Sequence, residues 1–404
     1  MNVRRSAAVL AAVTVIGAAT PAAAAPSPSP SQAFPSALYG DKDPKFDGVW
    51  RQSLALLAQD TVGEKPAAKS VEWLVRQQCE DGGFAAYRPD PTAACDAKTM
   101  LDTNATAAAV QALAALGGQD AVADKAVGWL KSVQNEDGGW GYAPGGASDT
   151  NSTSVVIGAL TAAGEKPDQV DKGGKSPDDA LLKLALPCGG DDDGAFAFQP
   201  DKKGKLTANA DATAAGVLGA LGQGMVVKAG KKSDADCADP RTPQQAAANG
   251  AAYLTQTLAK DDDHLTSALA GSDPQPDHGN TADAVVALAA QGETAQAGKS
   301  VRWLEKNSAG WAEQGGPAAY AQLIFAAHAT GTNPRDFGGT DLVKQLNATG
   351  PAPQAPEQPS AADKKDDSDS TSDFFGVWWY VGVCLVAGIG IGFLFTGRRK
   401  SRQS

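Results

Sequence analysis

One stretch of this sequence occurs twice, and the repetition limits what the chain can fold into. KSVEWLVRQQCEDGGFA begins at Lys69, and the similar KAVGWLKSVQNEDGGWG begins at Lys125. Repeats of this kind are single supersecondary units, each of which buries its apolar face only by stacking against its neighbours. We therefore expect the chain to fold as a series of such units.

Each copy begins as an amphipathic helix and ends in a glycine-rich corner. Val71, Trp73 and Leu74 fall on one face of the first helix, and the second copy has the same spacing. Glycine adopts the positive φ that other residues resist, so Asp-Gly-Gly predicts the end of the helix. We expect the aromatic residue that follows, Phe84 or Trp140, to fold back onto that helix.

A second signature follows each corner. It reads Asp-Thr-Asn-Ala-Thr from Asp102 and Asp-Thr-Asn-Ser-Thr from Asp149, with degenerate copies from Asn209 and from Asn280. Asp or Asn before an apolar run is typical of a helix N-cap. The Ala-rich helices that follow are apolar all round, as buried helices are. Alternation of the two helix types predicts two concentric layers, with roughly five or six helix pairs.

The repeat also carries a family resemblance. The pattern Lys-Ala-x-x-Trp-Leu-x-x-x-Gln-x-x-x-Gly-x-Trp, from Lys125 to Trp140, resembles the QW motif of the terpenoid cyclase and protein prenyltransferase superfamily, the prenyltransferase/squalene oxidase repeat. That superfamily folds as an all-α α/α toroid, so the resemblance implies a toroid over residues 46–348. The residues that it marks as structural are Trp73, Gln78, Phe84, Trp129, Gln134, Trp140, Trp303 and Trp311.

The catalytic motifs of that superfamily are missing from the predicted toroid. The sequence there has no Asp-x-Asp-Asp, no Asp-Asp-x-x-Asp, no Asp-x-Cys zinc motif and no Cys-Gly-Glu-Gln thioester motif. Since a fold does not fix a function, the resemblance indicates an architecture without indicating an enzyme. We expect no catalytic residue, while a cyclase-like or prenyltransferase-like enzyme remains one alternative.

Metal sites are weakly indicated. The acidic runs near Asp191 and Asp261 contain the oxygen ligands that calcium prefers, but the same runs are typical of solvated loops. The three histidines lie on dissimilar segments, which does not favour zinc. His278 is adjacent to a repeat corner and is more typical of a loop histidine than of a ligand contact. We therefore predict neither a metal nor a resident cofactor.

The caps of the buried helices suggest a binding site. In a toroid the N-termini of the inner helices converge at one mouth, and a polar ring around an apolar cavity is the usual form of a ligand site. The same residues could serve only as N-caps. The candidate binding residues are Asp102, Asn104, Asp149, Asn151, Asn209, Asp211, Asn280 and Asp283.

The resemblance extends to carriers of the transcobalamin type, which implies a corrinoid as one candidate ligand and a transporter as a candidate partner. Those carriers pair the toroid with a β-rich domain, and no strand-patterned segment follows Asn347 here. The resemblance makes a corrinoid the most concrete candidate, and another small molecule is the open alternative. The alternative to ligand capture is a scaffold that docks a surface protein or a cell-wall polymer.

The ends of the chain predict export and anchoring. Residues 1–25 have the charged, apolar and small-residue order of a signal peptide, and residues 374–395 are uncharged and long enough to span a membrane. The remaining predicted segments are a linker over 26–45, a disordered tether over 349–373 and a basic cytoplasmic tail over 396–404. The domain is thus predicted at the cell surface. A formal net charge of −11 argues against nucleic acid as a partner.

Cysteine usage agrees with export. Four cysteines lie outside the predicted membrane span, an even number that suits an oxidising compartment. Three pairings are possible. We favour Cys79 with Cys95 and Cys188 with Cys237, because each of these pairs brackets a long insertion.

Overall fold

The computed structural model describes residues 35–190, 192–233, 236–267 and 273–355. These residues form thirteen α-helices and one short hairpin. The helices are α1 (Gly48–Thr61), α2 (Ala68–Arg76), α3 (Thr103–Leu116), α4 (Asp120–Ser132), α5 (Thr150–Ala162), α6 (Pro177–Leu184), α7 (Ala210–Ala220), α8 (Pro243–Lys260), α9 (His278–Gln291), α10 (Thr294–Asn307), α11 (Ala309–Gly315), α12 (Pro317–Thr330) and α13 (Leu342–Ala348). The strands are β1 (Leu265–Ser267) and β2 (Gln275–Asp277), which pair antiparallel.

Six helices form a closed inner ring. Helices α1, α3, α5, α7, α9 and α12 each pack against the next, and α12 packs against α1. Their sequences are mostly Ala, Val and Leu, so they bury nearly their whole surface and approach one another closely. The ring confirms the predicted layer of apolar helices.

An outer layer surrounds this ring. Helices α2, α4, α6, α8, α10 and α13 each pack on the inner helix that precedes them in the sequence. They are amphipathic: in α2, for example, Leu74 is fully buried while Glu72 and Arg76 are exposed. Six inner and outer pairs make an α/α toroid, as predicted, and α11 lies between α10 and α12 in the chain.

The glycine-rich corners differ from the prediction in one respect. Helices α2 and α4 end before the motif glutamine, so Asp-Gly-Gly does not cap them. Gly82 has φ +105°, and a Cβ there would lie 2.3 Å from the carbonyl oxygen of Lys125 in α4. Gly138 has φ +91°, and a Cβ there would lie 2.1 Å from the carbonyl oxygen of Ser176. These glycines are required because the next outer unit packs against the corner itself.

The motif glutamines join neighbouring outer units. Gln78 Nε2 donates to the carbonyl of Gly82 at 3.0 Å and to that of Val122, at the start of α4, at 2.8 Å. Gln134 makes the equivalent pair of bonds, at 2.8 and 3.4 Å. Each glutamine therefore fixes its own corner and ties it to the following repeat.

The motif aromatics pack as predicted in the first two copies. Phe84 and Trp140 are fully buried, and the Trp140 indole N–H donates to the carbonyl of Leu130 at 2.7 Å. In the third copy Trp303 stacks on His264 with ring centres 4.3 Å apart, and Trp311 stacks on His278 at 5.6 Å. The partly exposed Trp73 stacks on Tyr87. In the third copy, both motif tryptophans thus pack against histidines.

A threonine links each corner to the inner helix that follows it. The hydroxyl of Thr106 accepts a bond from the backbone N–H of Phe84 at 2.9 Å. Thr153, Thr213 and Thr281 accept the equivalent bonds from Trp140, Phe196 and Leu265 at 3.1, 2.9 and 2.9 Å. Each threonine is four residues after the helix cap, so this contact recurs with the repeat.

The toroid is larger at both ends than the sequence predicted. Leu38 and Tyr39 are buried, although they fall in the predicted linker. The Tyr39 hydroxyl donates to the carbonyl of Pro351 at 2.7 Å, and the Gly40 N–H donates to that of Thr349 at 2.8 Å. The boundaries at 46 and 348 are therefore too narrow, because the two flanking segments pack together against α1.

The remaining predictions about the chain fare differently. Both favoured disulfides are confirmed, Cys79–Cys95 and Cys188–Cys237, with Cα atoms 5.7 and 5.9 Å apart. The predicted signal peptide, membrane span and tail, with most of the tether, lie outside the described residues. Within those residues, no helix has the length and apolar character needed to cross a bilayer.

Candidate functional site

A cavity of about 280 Å³ lies inside the inner ring. All six inner helices contribute to its wall. Helix α7, for example, contributes one face to the wall, formed by Asp211, Ala214, Ala215 and Leu218. Residues three or four positions apart lie on the same face of a helix. The cavity is thus a product of the ring itself.

Most of the wall is apolar. The polar side chains on it come mainly from the first two turns of the inner helices. The lining residues are Trp50, Leu54, Asn104, Gln111, Asn151, Ser154, Val155, Asp211, Ala214, Ala215, Leu218, Gln223, Gly224, Met225, Asp283, Val286, Gln322 and Phe325. Four of the eight predicted binding residues are among them: Asn104, Asn151, Asp211 and Asp283.

Three of the other four predicted residues are helix caps. The side chains of Asp102, Asp149 and Asn209 accept bonds from backbone N–H groups three residues ahead, at 2.8, 2.7 and 2.8 Å. Asp102 and Asp149 are also buried, and burial raises the pKa of both carboxyl groups. These caps face the helix backbone, so the structure gives them a structural role.

The fourth cap is not where the sequence placed it. Helix α9 begins at His278, and its cap is Asp277, whose carboxylate accepts from the Asn280 N–H at 3.0 Å and from its Nδ2 at 2.8 Å. Asn280 therefore supports the cap and does not line the cavity. The error arose because Asn280-Thr281 imitates the earlier signatures, while the repeated threonine, Thr281, fixes the true register.

The corrected register shows what is unusual about Asp283. Asn104, Asn151 and Asp211 each lie two residues after a cap, but Asp283 lies six residues after its cap, about one turn further along the helix. The other copies have Ala108, Val155 and Ala215 at this position. Asp283 therefore occupies a position at which α3, α5 and α7 have an apolar side chain.

Amides hold both cavity carboxylates. Asn151 Nδ2 donates to Asp211 Oδ2 at 2.7 Å, and Gln322 Nε2 donates to both carboxylate oxygens of Asp283, at 3.2 and 3.1 Å. Three buried side-chain oxygens at the cavity wall have no hydrogen-bond partner in the described part of the chain. They are Asn104 Oδ1, Asn151 Oδ1 and Ser154 Oγ.

The two carboxyl groups are weakened as acids. Burial, then the charge of Asp211 and the more distant Asp277, raises the pKa of Asp283 from 3.8 to about 7, although the Gln322 bond opposes the shift. Burial also raises the pKa of Asp211, against its bond from Asn151. Asp283 is partly accessible and lines the cavity. Near neutral pH, this site carries less than two full negative charges.

A loop after α7 covers one side of the cavity. Gln111 Oε1 accepts from the N–H of Met225 at 2.9 Å, and Gln111 Nε2 donates to the carbonyl of Val155 at 3.2 Å. Gly158 of α5 lies directly under this loop, since a Cβ there would be 2.7 Å from the Cα of Gly224. We call residues 222–227 the floor loop.

Sequence reasoning missed several lining residues. Gln111 and Gln322 were visible in principle, because each is a polar residue with apolar neighbours on both sides in an Ala-rich helix. For Trp50 and Phe325, the sequence does not show whether an apolar side chain lines a cavity or belongs to the core. His278 does not line the cavity; its Nε2 is 3.1 Å from the carbonyl oxygen of Asn307. In the described residues, no three His, Cys, Asp or Glu side chains are placed to hold a metal ion.

Comparison with known proteins agrees with this architecture. Residues 50–205 match the prenyltransferase alpha-alpha toroid domain. Squalene–hopene cyclase of Alicyclobacillus acidocaldarius is 29% identical over 143 residues, which are 32% of this chain and 22% of that protein. Drimenyl diphosphate synthase of Streptantibioticus cattleyicolor is 38% identical over 80 residues, 20% of this chain and 13% of that protein. The chain thus spans less than a quarter of the length of either relative.

Two solved structures resemble the chain more loosely. A glycosidase has a TM-score of 0.42 at 14% identity, covering 70% of this chain and 86% of its own. A sugar epimerase from a ruminal bacterium has a TM-score of 0.40 at 16% identity, covering 65% and 77%. The repeated QW-like corners, the two-layered ring and the match over residues 50–205 support a relationship to the prenyltransferase and terpenoid cyclase superfamily of α/α toroids.

Proposed function

We propose that the toroid binds a small molecule in its central cavity without transforming it. One observation carries the proposal: an apolar cavity inside the ring has buried polar atoms at its wall that no described residue satisfies. Buried polar groups are normally hydrogen-bonded, and leaving one unpaired costs about 1–3 kcal/mol. A ligand that supplies the missing partners would offset that cost.

The dimensions favour a compact ligand. Ligand cavities in proteins usually have volumes of about 300–1,000 Å³. The cavity here, at about 280 Å³, is slightly smaller than that range. A corrinoid is a large macrocycle and would have to lie across the mouth, so it stays in the test as a candidate and is not our preferred ligand.

The proposed setting is the cell surface. The predicted signal peptide and membrane span support it, as do two disulfides, which persist in oxidising compartments. A captured ligand would there be available to a transporter. Treating intact cells with a protease tests the setting: we expect loss of the toroid from the cells, whereas full protection would contradict an outside location.

A second candidate function has its own observation. Four large apolar side chains are exposed in the segments that lead to inner helices, namely Phe46, Met100, Tyr142 and Phe198, with exposures of 77%, 77%, 53% and 44%. The carbonyls of Tyr142 and Phe198 accept bonds from the N–H groups of Thr103 and Thr150, so the backbone of both residues lies beside the N-termini of α3 and α5. Such a rim fits a scaffold that docks a surface protein over the mouth.

Native mass spectrometry of the full chain distinguishes these possibilities. The protein is incubated with a panel of compact amphiphilic molecules and corrinoids, and we expect a discrete adduct. The variant Ala215→Phe fills the cavity and should lose the adduct, whereas Ala121→Phe, on an exposed site of outer helix α4, should keep it. Circular dichroism checks that both variants fold.

The other results are also informative. No adduct with any compound would contradict ligand capture and favour the scaffold. An adduct that survives Ala215→Phe would place the ligand elsewhere. Release of a compound of altered mass would favour the cyclase-like alternative.

A further inference from the structure

The cavity wall offers mainly hydrogen-bond acceptors. The amide nitrogens of Asn151 and Gln322 are already used on Asp211 and Asp283. What remains unpaired is the side-chain carbonyl oxygen of Asn151, that of Asn104 and the hydroxyl of Ser154, a residue only 4% exposed. Carbonyl oxygens accept hydrogen bonds and cannot donate them, so the ligand must bring donors.

The charge of the cavity has one sign. Asp211 and Asp283 both line it, and the described lining residues include no Lys, Arg or His. A buried carboxylate is costly unless it is paired with a cation or fully hydrogen-bonded. Within the described chain Asp283 has the Gln322 amide as its side-chain partner and forms no ion pair. A cationic ligand would supply the missing positive charge.

Helix capping does not explain the acid at position 283. It caps no helix, since Asp277 caps α9. In α3, α5 and α7 the equivalent positions are Ala108, Val155 and Ala215, so these three helices pack with an apolar side chain there. Since natural buried acids without a structural role concentrate at functional sites, Asp283 is best explained by what enters the cavity.

The apolar part of the wall suits the same ligand. Trp50 and Phe325 border the cavity. Aromatic rings attract organic cations through their quadrupole, in addition to packing against alkyl groups. The cavity therefore offers apolar surface for a hydrocarbon body and acceptors for a charged head.

We propose that the ligand is a compact organic ammonium ion, whose N–H groups bind Asp211, Asp283 and the amide oxygens of Asn104 and Asn151. This inference rests on the proposed function and adds the chemical class of the ligand. The hydrocarbon body occupies the apolar wall near Trp50 and Phe325.

The proposal has a consequence for pH. A cation favours the ionised form of Asp283, whose pKa is raised to about 7 by burial and by the charge of Asp211. The charged or titratable groups facing this carboxyl are Asp211 from α7 and Asp277 before α9, while the described lining residues of α1, α3, α5 and α12 have none. Ammonium binding should therefore strengthen as pH rises from about 6 to about 8, with release of a proton.

Calorimetric titration of the full chain tests the inference with a matched pair of probes, cyclohexylamine and cyclohexanol. The two are similar in size, but only the amine is a cation near neutral pH. We expect the amine to bind at least about tenfold more tightly than the alcohol. Asp283→Asn should weaken amine binding about tenfold, leave the alcohol unchanged and remove the rise in affinity with pH.

Two further variants complete the test. Asp124→Asn, on the exposed face of α4, controls for the loss of one charge and should bind both probes like the native protein. If Asp283→Asn does not fold, Asp211→Asn tests the same charge from the neighbouring helix.

The proposal and its premise can fail separately. Equal binding of the two probes would overturn the ammonium ion and leave small-molecule capture standing. Amine binding that Asp283→Asn and Asp211→Asn leave unchanged would also overturn the inference, because it would place the cation elsewhere. Failure of both probes to bind would overturn it too, and the wider panel with Ala215→Phe then decides whether the cavity binds any ligand.

Discussion

Replacing Asp283 by asparagine should change how the stability of the protein depends on pH. Burial, with the charge of Asp211, raises the pKa of Asp283 from 3.8 to about 7 in the folded protein. In the unfolded chain the carboxyl ionises near its ordinary value. The folded state therefore keeps a proton that the unfolded state loses between about pH 4 and about pH 7.

The sign and size follow from this difference. For a raised pKa, the stabilisation is fully present below the unfolded value and is lost as pH rises through the folded value near 7. One pKa unit corresponds to about 1.36 kcal/mol, so a shift of about three units costs the native protein up to about 4 kcal/mol by about pH 8. Asparagine keeps an acceptor for Gln322 and cannot ionise, so the variant should not lose this stability as the pH rises.

Urea unfolding at a series of pH values measures the effect. The free energy of unfolding of Asp283→Asn minus that of the native protein should rise by a few kcal/mol between about pH 4 and about pH 8 and then level off. Asp124→Asn, at an exposed site on α4, should show no comparable rise. A constant difference between native protein and Asp283→Asn would refute a buried, ionisable carboxyl in the cavity.

Three other predictions concern the architecture. Gly158→Ala puts a Cβ 2.7 Å from the Cα of Gly224 and should lower the free energy of unfolding by about 1–3 kcal/mol. Gly128→Ala, in open space on α4, should raise it by about 0.5–1 kcal/mol; equal effects in urea unfolding would contradict a tightly packed floor loop. Thr153→Val leaves the buried N–H of Trp140 unpaired and should cost about 1–3 kcal/mol, most of which Thr153→Ser restores; a valine variant as stable as native protein would argue against this contact. Reducing both disulfides should lower stability by about 3 kcal/mol or more, seen as a lower Tm with reductant, and an unchanged Tm would mean that the loops are held by packing alone.

The features predicted correctly are those that depend on nearby residues. A cap and the N–H that it binds are three residues apart, so the sequence is enough to place Asp102, Asp149 and Asn209. The disulfides were narrowed to one favoured pairing by their spacing along the chain. The prediction of the fourth cap was wrong because both Asp277 and Asn280 precede an apolar run, and a local pattern cannot choose between them.

Boundaries and corners were less predictable. The sequence suggests that Gly82 ends a helix. The structure shows that glycine is required there because the carbonyl of Lys125, in the next repeat, leaves no room for a Cβ. Tyr39 lies in a segment that reads as a linker, and it is buried because Pro351, from the far end of the described chain, lies beside it. Contacts between residues so distant in sequence leave no periodic signal.

The sequence by itself determined the alternation of amphipathic and apolar helices, their repetition and three of their caps, because each depends on spacing within one or two turns. It favoured the observed disulfides among three possible pairings. Only the tertiary structure decided that α12 closes on α1, and that Asp211, Asp283 and Gln322 meet across one cavity. Which side of a helix faces that cavity depends on the rotation and packing of all six inner helices together. The raised pKa of Asp283 has the same origin. The closed ring removes its carboxyl group from water, and residues adjacent in the sequence do not.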